Sequence, residues 1–464
     1  MNNVIKAIKK IQFRLSDIFL GIWFVFGMII FYESNSVMGS NNVNNLYIPI
    51  WVHSIFFIVF IISFSIYFYL EKKRINDNKI LLLLFITIFL IISQAEVIFL
   101  HPNIIIQWIN NSRGEPFLVT TQINNEIKLI HFFAISFMLL GFFAGVFIIP
   151  KRIKSIKFLY FIFNILFLVS IGIFIYSLIF DNYILLFQKI FSINSLDVHI
   201  EACAPKGIFS NKNMYAVFIE LCLFVSLINY SLTKRKYNLV LTIFYYLHLL
   251  LTLSWAGIIS STIVLFLSII VHFILFIRNK NRKGIIITSS ILSLALSAII
   301  IFVLLLSFNE SFRFYITWYK GERSFNERKG VWLLSIQIIK NAPFFNGSGY
   351  GIYNHILLNA NIIATDYHYP IATSHSWFLS IMGRGGLIML LSFISLLIVS
   401  IYDLIKIYKT NKEATIALAS CQLVFFIHSS IDDPYYLIIL ILMVIMVIKE
   451  SILPNKNRIN TQLV

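Results

Sequence analysis

Charge is what this chain has least of. Asp, Glu, Lys and Arg together make up 12% of its 464 residues, against roughly 25% in soluble globular proteins. That deficit excludes an ordinary soluble enzyme, and a hydrophobic content of 59% excludes disorder. Cysteine is almost absent. Cys203, Cys222 and Cys421 are too few for a disulfide framework, and the latter two fall inside apolar runs. No CxxC or His-rich spacing marks a metal site, so neither a metal nor another cofactor is expected. No Ser/Gly or Pro linker and no fixed-period repeat divides the chain.

What fills it instead is long apolar runs, and the mean hydropathy is +0.85. At about 20 residues per transmembrane helix, twelve spans are expected, near 17–32, 47–70, 80–100, 129–149, 158–180, 213–233, 238–254, 256–277, 285–307, 376–402, 414–431 and 435–448. The fold class is therefore an all-α polytopic membrane protein. Basic residues precede the first run as in a signal peptide, but removing it would break the alternation of charge, so it reads as a retained helix.

The formal charge of +17 invites a nucleic-acid reading. Position argues otherwise. Seven clusters, from Lys6/Lys9/Lys10/Arg14 through Lys72-Lys73-Arg74 and Lys234-Arg235-Lys236 to Lys449/Lys456/Arg458, hold 25 of the 37 basic residues. Twelve spans place every cluster on one side, so both termini are expected to be cytoplasmic. The charge belongs to topology, and no nucleic acid is expected as a partner.

The opposite, extracytoplasmic face carries loops at 101–128, 181–212 and, between spans nine and ten, a large loop at 308–375. The expected organisation is thus nine spans in 1–307, the large loop in 308–375, and three spans with a cytoplasmic tail in 376–464. The large loop breaks the charge trend with Arg313, Lys320, Arg323, Arg328, Lys329 and Lys340. Long loops translocate regardless of charge, and an anion site is the sharper reading. Within it, Val331, Leu334 and Ile338, with Trp332 and Ile339 nearly in line, predict a helix over 328–339 that lies on a membrane or core surface and ends at Pro343. The following NGSGYG run lacks a GKS/GKT ending and is not a phosphate loop. Its glycines suit tight backbone passage.

His375 lies where the large loop re-enters the membrane. A histidine there suits a general base, its ordinary pKa being near 6.5, or else a plain polar contact. The arginine-rich loop upstream adds guanidinium groups that would dock phosphate bidentately.

Three stretches in this order resemble the O-antigen ligase/polymerase family of bacterial envelope glycosyltransferases. They are Gly207-Ile208-Phe209-Ser210-Asn211-Lys212-Asn213 leading into a span, the run Arg328, Trp332, Pro343-Phe344, Gly347 and Gly349, and His375 with Gly386-Leu387 eleven residues on. The late acidic pair Asp432-Asp433 also fits. The resemblance spans roughly residues 200–435. It implies metal-independent transfer of a glycan from an undecaprenyl-diphosphate carrier, at the periplasmic face of the bacterial inner membrane, to the next carrier-linked repeat unit or to lipid A-core. Membrane lipids and other polysaccharide-assembly proteins are the further implied partners. On this reading His375 accepts the acceptor proton. The departing diphosphate needs fixed cations, for which Arg328 stands first and Arg323 second, with Arg313 and Lys206 as helpers.

Two departures from the family pattern matter. An arginine usual at the outer turn before the eighth span is replaced by Trp255, leaving its role vacant or to Lys206 or Arg384. Arg384 also stands where an acidic residue is common, and Ser376 where asparagine is. These departures tilt the reading from ligase toward polymerase.

Six polar groups remain inside spans: Glu96, His131, Glu220, His248, His272 and His428. Buried charge in a membrane is costly and often functional. Interhelical hydrogen bonds are expected of His131, His248 and His272. Glu96 would face the outer cavity, and Glu220 would suit a proton-coupled carrier. A lipid-linked oligosaccharide transporter is the rival class, but its ionisable groups belong near mid-membrane, whereas Arg, His and Gly here gather in one outer loop and its flank.

Overall fold

The computed structural model describes residues 78–100, 106–110, 116–119, 212–309, 313, 324–349, 352–354, 356–357 and 374–432, with individual residues within 128–136 and 161–176. Its helices are α1 (Asn78–Ala95), continued by a π-helical turn over Glu96–Leu100, α2 (Lys212–Thr233), α3 (Lys236–Leu251), α4 (Trp255–Arg278), α5 (Arg282–Phe308), α6 (Ser324–Asn341), α7 (Trp377–Tyr408) and α8 (Lys412–Ile431). Four of these, α2, α4, α7 and α8, are long and apolar enough to cross a membrane. The protein is a helical membrane protein. Helices α1, α3 and α5 occupy three further expected runs, while the expected spans 17–32, 47–70 and 435–448 lie outside the described residues.

The described residues are mostly helical, with one short ribbon beside the helices. Strands β1 (Ile106–Asn110) and β2 (Pro116–Val119) pair antiparallel in the loop after α1, with Ile109 opposite Phe117 and an irregularity before it. Pro116 opens its strand, where a missing N–H costs least. Helix α6 packs against β1 and α7.

Helix α2 is the centre of the bundle, with Tyr215, Phe218, Phe224 and Ile228 fully enclosed. It contacts α3, α4 and α8. Small residues govern the crossing with α4. A Cβ on Gly257 would lie 2.9 Å from the Ala216 Cβ and 3.5 Å from His428 Cε1, so only glycine lets these helices approach so closely. The start of α4 thereby lies beside the start of α2 and the end of α8. Helices α2 and α4 run parallel to each other and antiparallel to α8.

The basic turns follow from that arrangement. Lys234, in the turn after α2, pairs with Glu413 in the first turn of α8. The Arg278–Lys283 turn after α4 falls at the same end, because α4 runs parallel to α2. Lys234 and Lys280 stop their helices in the left-handed region, at φ 57° and 53°. Asn281 and Asn411 cap α5 and α8, accepting from Gly284 N at 3.1 Å and Ala414 N at 3.0 Å. The outward faces are apolar, as with Ile263, Phe266, Leu267 and Ile274 of α4, which suits a lipid surrounding.

Helix α6 matches the amphipathic helix expected over 328–339, with Val331, Leu334 and Ile338 buried against Ile98, Ile352, Tyr353, Ile356 and Leu357. The glycine-rich loop after it enters the bundle. Helix α7 is broken at Gly386 (φ 60°, ψ −157°), and the loop covers the break. Ser348 N donates to Gly383 O at 2.7 Å, Gly349 N to Arg384 O at 3.0 Å, Leu387 N to Phe344 O at 3.0 Å and Ile388 N to Phe345 O at 3.2 Å. A helix broken among apolar neighbours must have its freed amides and carbonyls bonded by protein, and the loop backbone supplies that. The approach is so close that a Cβ on Gly347 would meet Gly386 N at 2.6 Å. Asn346 ties the loop to α1, accepting from Ser93 Oγ at 3.2 Å and donating to Glu96 Oε2 at 3.4 Å.

Two glycines should therefore respond oppositely to alanine. Gly386→Ala adds a left-handed Cβ costing about 1–2 kcal/mol, placed 2.4 Å from Phe345 O. It should lower the melting midpoint of the detergent-solubilised protein. Gly330→Ala, in helical α6 with nothing within 4 Å of the new Cβ, should gain about 0.5–1 kcal/mol and leave the midpoint equal or higher.

Candidate active site

The end of the bundle away from the basic turns collects the titratable side chains. His375 precedes α7 and Asp432 follows α8, and α7 and α8 pack along each other. Trp377 Nε1 donates to Ser430 Oγ at 3.3 Å, pinning the start of one helix to the end of the other. Trp377 also makes ring contacts with Phe393 and Phe426. Ser374 Oγ bonds Ser376 O at 2.9 Å and Ser380 Oγ at 2.6 Å, fixing the turn that carries His375.

His375 itself sits at φ 50°. A non-glycine residue there costs of order 1–3 kcal/mol, and such strain clusters at functional sites. Its Nδ1 lies 2.6 Å from Asp432 Oδ1. Against an ionised carboxylate Nδ1 carries the hydrogen and donates it, which leaves Nε2 as the basic nitrogen. Burial pushes the Asp432 carboxyl up, but His375, together with the His428 and Arg328 charges, outweighs burial and holds it below the usual carboxylate range.

Helices α2 and α4 bring a second pair beside the first. His428 Nδ1 lies 2.7 Å from Glu220 Oε2, and Ser260 and Ser261 of α4 donate to Glu220 Oε1 at 2.5 and 3.0 Å. Both partners are almost fully enclosed. The Asp432 amide donates to His428 O at 2.8 Å, so the two pairs are one helical turn apart. Arg328, half-buried on α6, lies close enough for its charge to act on both Asp432 and His428.

The six residues singled out from sequence are thus distributed unevenly. His375 is hydrogen-bonded to Asp432, and Arg328 lies near enough for its charge to act on that carboxylate. Arg384 does not join them: it is buried at the α7 break, where its Nε donates to Asn354 Oδ1 at 3.1 Å. Arg313 is exposed just beyond α5, its backbone N–H bonded to Asn309 O. Arg323 and Lys206 lie outside the described residues. Trp255 is half-buried at the start of α4.

Of the other polar groups, His248 makes the interhelical bond expected of it, to the Tyr215 hydroxyl at 2.8 Å. His272 instead turns back on its own helix, its Nδ1 2.8 Å from Ser268 O. His131 lies outside the described residues. Glu96 meets the glycine loop through Asn346. Sequence reasoning missed the pairing of Glu220 with His428 and the role of Asp432 as the partner of His375. The available signal was His428 and Asp432 four residues apart at the end of a span, which a helix places on neighbouring positions. Among the described residues no group of three or more His, Cys, Asp or Glu is arranged to hold a metal ion.

The depressed Asp432 carboxyl has a consequence for stability. A group whose folded pKa lies below its unfolded value stabilises the fold above the unfolded pKa, about 3.9 for Asp. That contribution is lost as pH falls through the folded value. The melting midpoint of the wild type should therefore drop more steeply below about pH 4 than that of Asp432→Asn, in scans from pH 7 to pH 3. Parallel curves would show that the pair contributes nothing.

No protein-family model, curated protein or solved structure matches the chain.

Proposed function

We propose that this protein is a metal-independent membrane glycosyltransferase, a polymerase of bacterial surface polysaccharide. It moves a glycan from an undecaprenyl-diphosphate carrier to a second carrier-linked repeat unit at the periplasmic face of the inner membrane. The proposed topology is twelve spans with both termini cytoplasmic and the large loop outside. The observation that carries this reading is the His375–Asp432 pair, with a basic nitrogen left open and the Arg328 charge alongside. The pair also lies opposite the basic turns, the side that translocates when those turns stay in the cytoplasm.

The chemistry follows from the residues. His375 Nε2 takes the proton of the acceptor hydroxyl as its oxygen attacks the anomeric carbon. The bond from that carbon to the phosphate oxygen breaks, and the diphosphate leaves with the electron pair. Asp432 stabilises the imidazolium and holds its tautomer, as a carboxylate does in other histidine pairs. Arg328 offsets the charge growing on the diphosphate, a contribution typically of about 2.7–4 kcal/mol per donor. General base help is typically worth about 100- to 10,000-fold. Arg323, Arg313 and Lys206 are proposed as further diphosphate contacts. Arg384 is the weakest of the set, being occupied by Asn354.

A buried ionisable pair such as Glu220–His428 would also suit a lipid-linked oligosaccharide transporter. Its bonds, however, lead to the same end of the bundle as His375 rather than to mid-membrane, which favours the enzyme.

His375→Ala and Arg328→Ala should each abolish transfer while the protein inserts at normal levels, with a loss of at least about 100-fold. The check is a gel of surface lipopolysaccharide, with carrier-linked glycans measured alongside, in a strain lacking the protein and complemented by each variant. A core bearing a single repeat unit supports the polymerase. A bare core with accumulated carrier-linked polymer points to the ligase, with lipid A-core as acceptor. Wild-type ladders from both variants would overturn the site.

A further inference from the structure

The Glu220–His428 pair has no part in the steps above, yet both side chains are almost wholly enclosed. Glu220, on α2, makes three hydrogen bonds to two other helices: two with hydroxyls of α4 and one with an imidazole of α8. Burying a carboxylate among apolar helices costs several kcal/mol unless it is paired, so an arrangement this complete points to use. Two atoms at its edge are enclosed and unpartnered among the described residues, namely His428 Nε2 and Asp432 Oδ2. They belong to residues four apart whose backbones are hydrogen-bonded. Buried polar atoms of this kind are normally bridged, and one water or hydroxyl group suffices where two or more such atoms face a common space.

We infer that Glu220 and His428 are positioning residues for His375, joined to it through Asp432 by a single bridging hydroxyl or water held between His428 Nε2 and Asp432 Oδ2. The inference rests on the proposed role of His375 as base. The connected order is Glu220 Oε2, His428 Nδ1, His428 Nε2, the bridging oxygen, Asp432 Oδ2, Asp432 Oδ1 and His375 Nδ1. In it Asp432 is held from both oxygens, one by His375 and one by the bridge. A carboxylate fixed at both ends presents a fixed acceptor to His375 Nδ1, and so aims Nε2. A one-ended carboxylate rotates, and the imidazole follows it. No covalent bond changes, and no proton needs to leave the chain of bonds.

The charged groups that face His428 are Glu220 from α2, Asp432 on its own chain segment, Arg328 from α6, and His375 ahead of α7 through Asp432. Helix α4 contributes Gly257 and the two serines, none of which titrates. Cys421, deeper on α8, lies within reach of the Glu220 charge.

The test is a double-mutant cycle on transfer by the full-length protein. Glu220→Gln and His428→Gln keep a polar side chain of similar size. Each should lower kcat about tenfold with KM unchanged within about twofold, as expected of a group that acts only through another. In an Asp432→Asn background the same changes should cost less than about twofold, because the connection is already cut. His272→Gln, on α4 and hydrogen-bonded within its own helix, serves as the unaffected control. A full tenfold loss in the Asp432→Asn background would overturn the inference, as would kcat unchanged in the single variants.

A second readout separates this inference from the proposed reaction. In protein carrying ¹⁵N-labelled histidine, the His375 Nδ1 resonance should move in Glu220→Gln and in His428→Gln, and stay put in His272→Gln. If the wild type transfers no glycan but these shifts appear, the reaction is wrong and the connection stands. If transfer proceeds and His375 does not respond, the connection is wrong and the reaction stands.

Discussion

The close crossing of α4 over α2 at Gly257 and Ala216 is the contact on which the His375 end of the molecule depends. There two helix backbones come near enough for Ser260 and Ser261 to reach Glu220 on the neighbouring helix. His428 lies against the same glycine, and from His428 the chain runs one turn to Asp432 and across to His375. Lipid supplies no hydrophobic drive between spans, so small residues and shared hydrogen bonds must hold them together. In this protein the contact that packs the helices also gathers the polar groups.

The same demand explains the other unusual feature, the broken helix α7. A glycine with φ 60° in the middle of a span leaves amides and carbonyls that lipid will not bond. The loop after α6 answers with its own backbone, and it fits because glycines 347 and 349 adopt positive φ. Arg384 is caught inside this junction, held by Asn354. A cation that looked available to a phosphate on the strength of its position in the chain is engaged in holding the break. The strain at His375 is paired with a similar economy: the left-handed turn that costs stability is also what faces the imidazole toward Asp432.

Much of the fold was legible from the chain alone, because its main signals are local. Seven described helices fall on the expected apolar runs and an eighth, α6, on the amphipathic stretch, since the length and periodicity of apolar residues directly reflect burial. The clustering of basic residues anticipated that Lys234 and the Lys280 turn share one end of the bundle, opposite His375. The short β1–β2 pair was not anticipated. A two-stranded ribbon of five and four residues gives little alternation to read.

The candidate site divides along the same line. His375 and Arg328 stood out because a histidine at the edge of an apolar run and arginines clustered in the loop before it are anomalies of composition and position. Asp432 was visible only as an acidic residue late in the chain, and His428 as one of several histidines within spans. Sequence by itself determined where the described apolar helices run and which residues are out of place in them, because the free energy of burial in lipid is summed residue by residue along each helix. Only the tertiary structure decided which of those residues meet. Glu220 and His428 are 208 positions apart, and their contact depends on a helix crossing that one glycine permits.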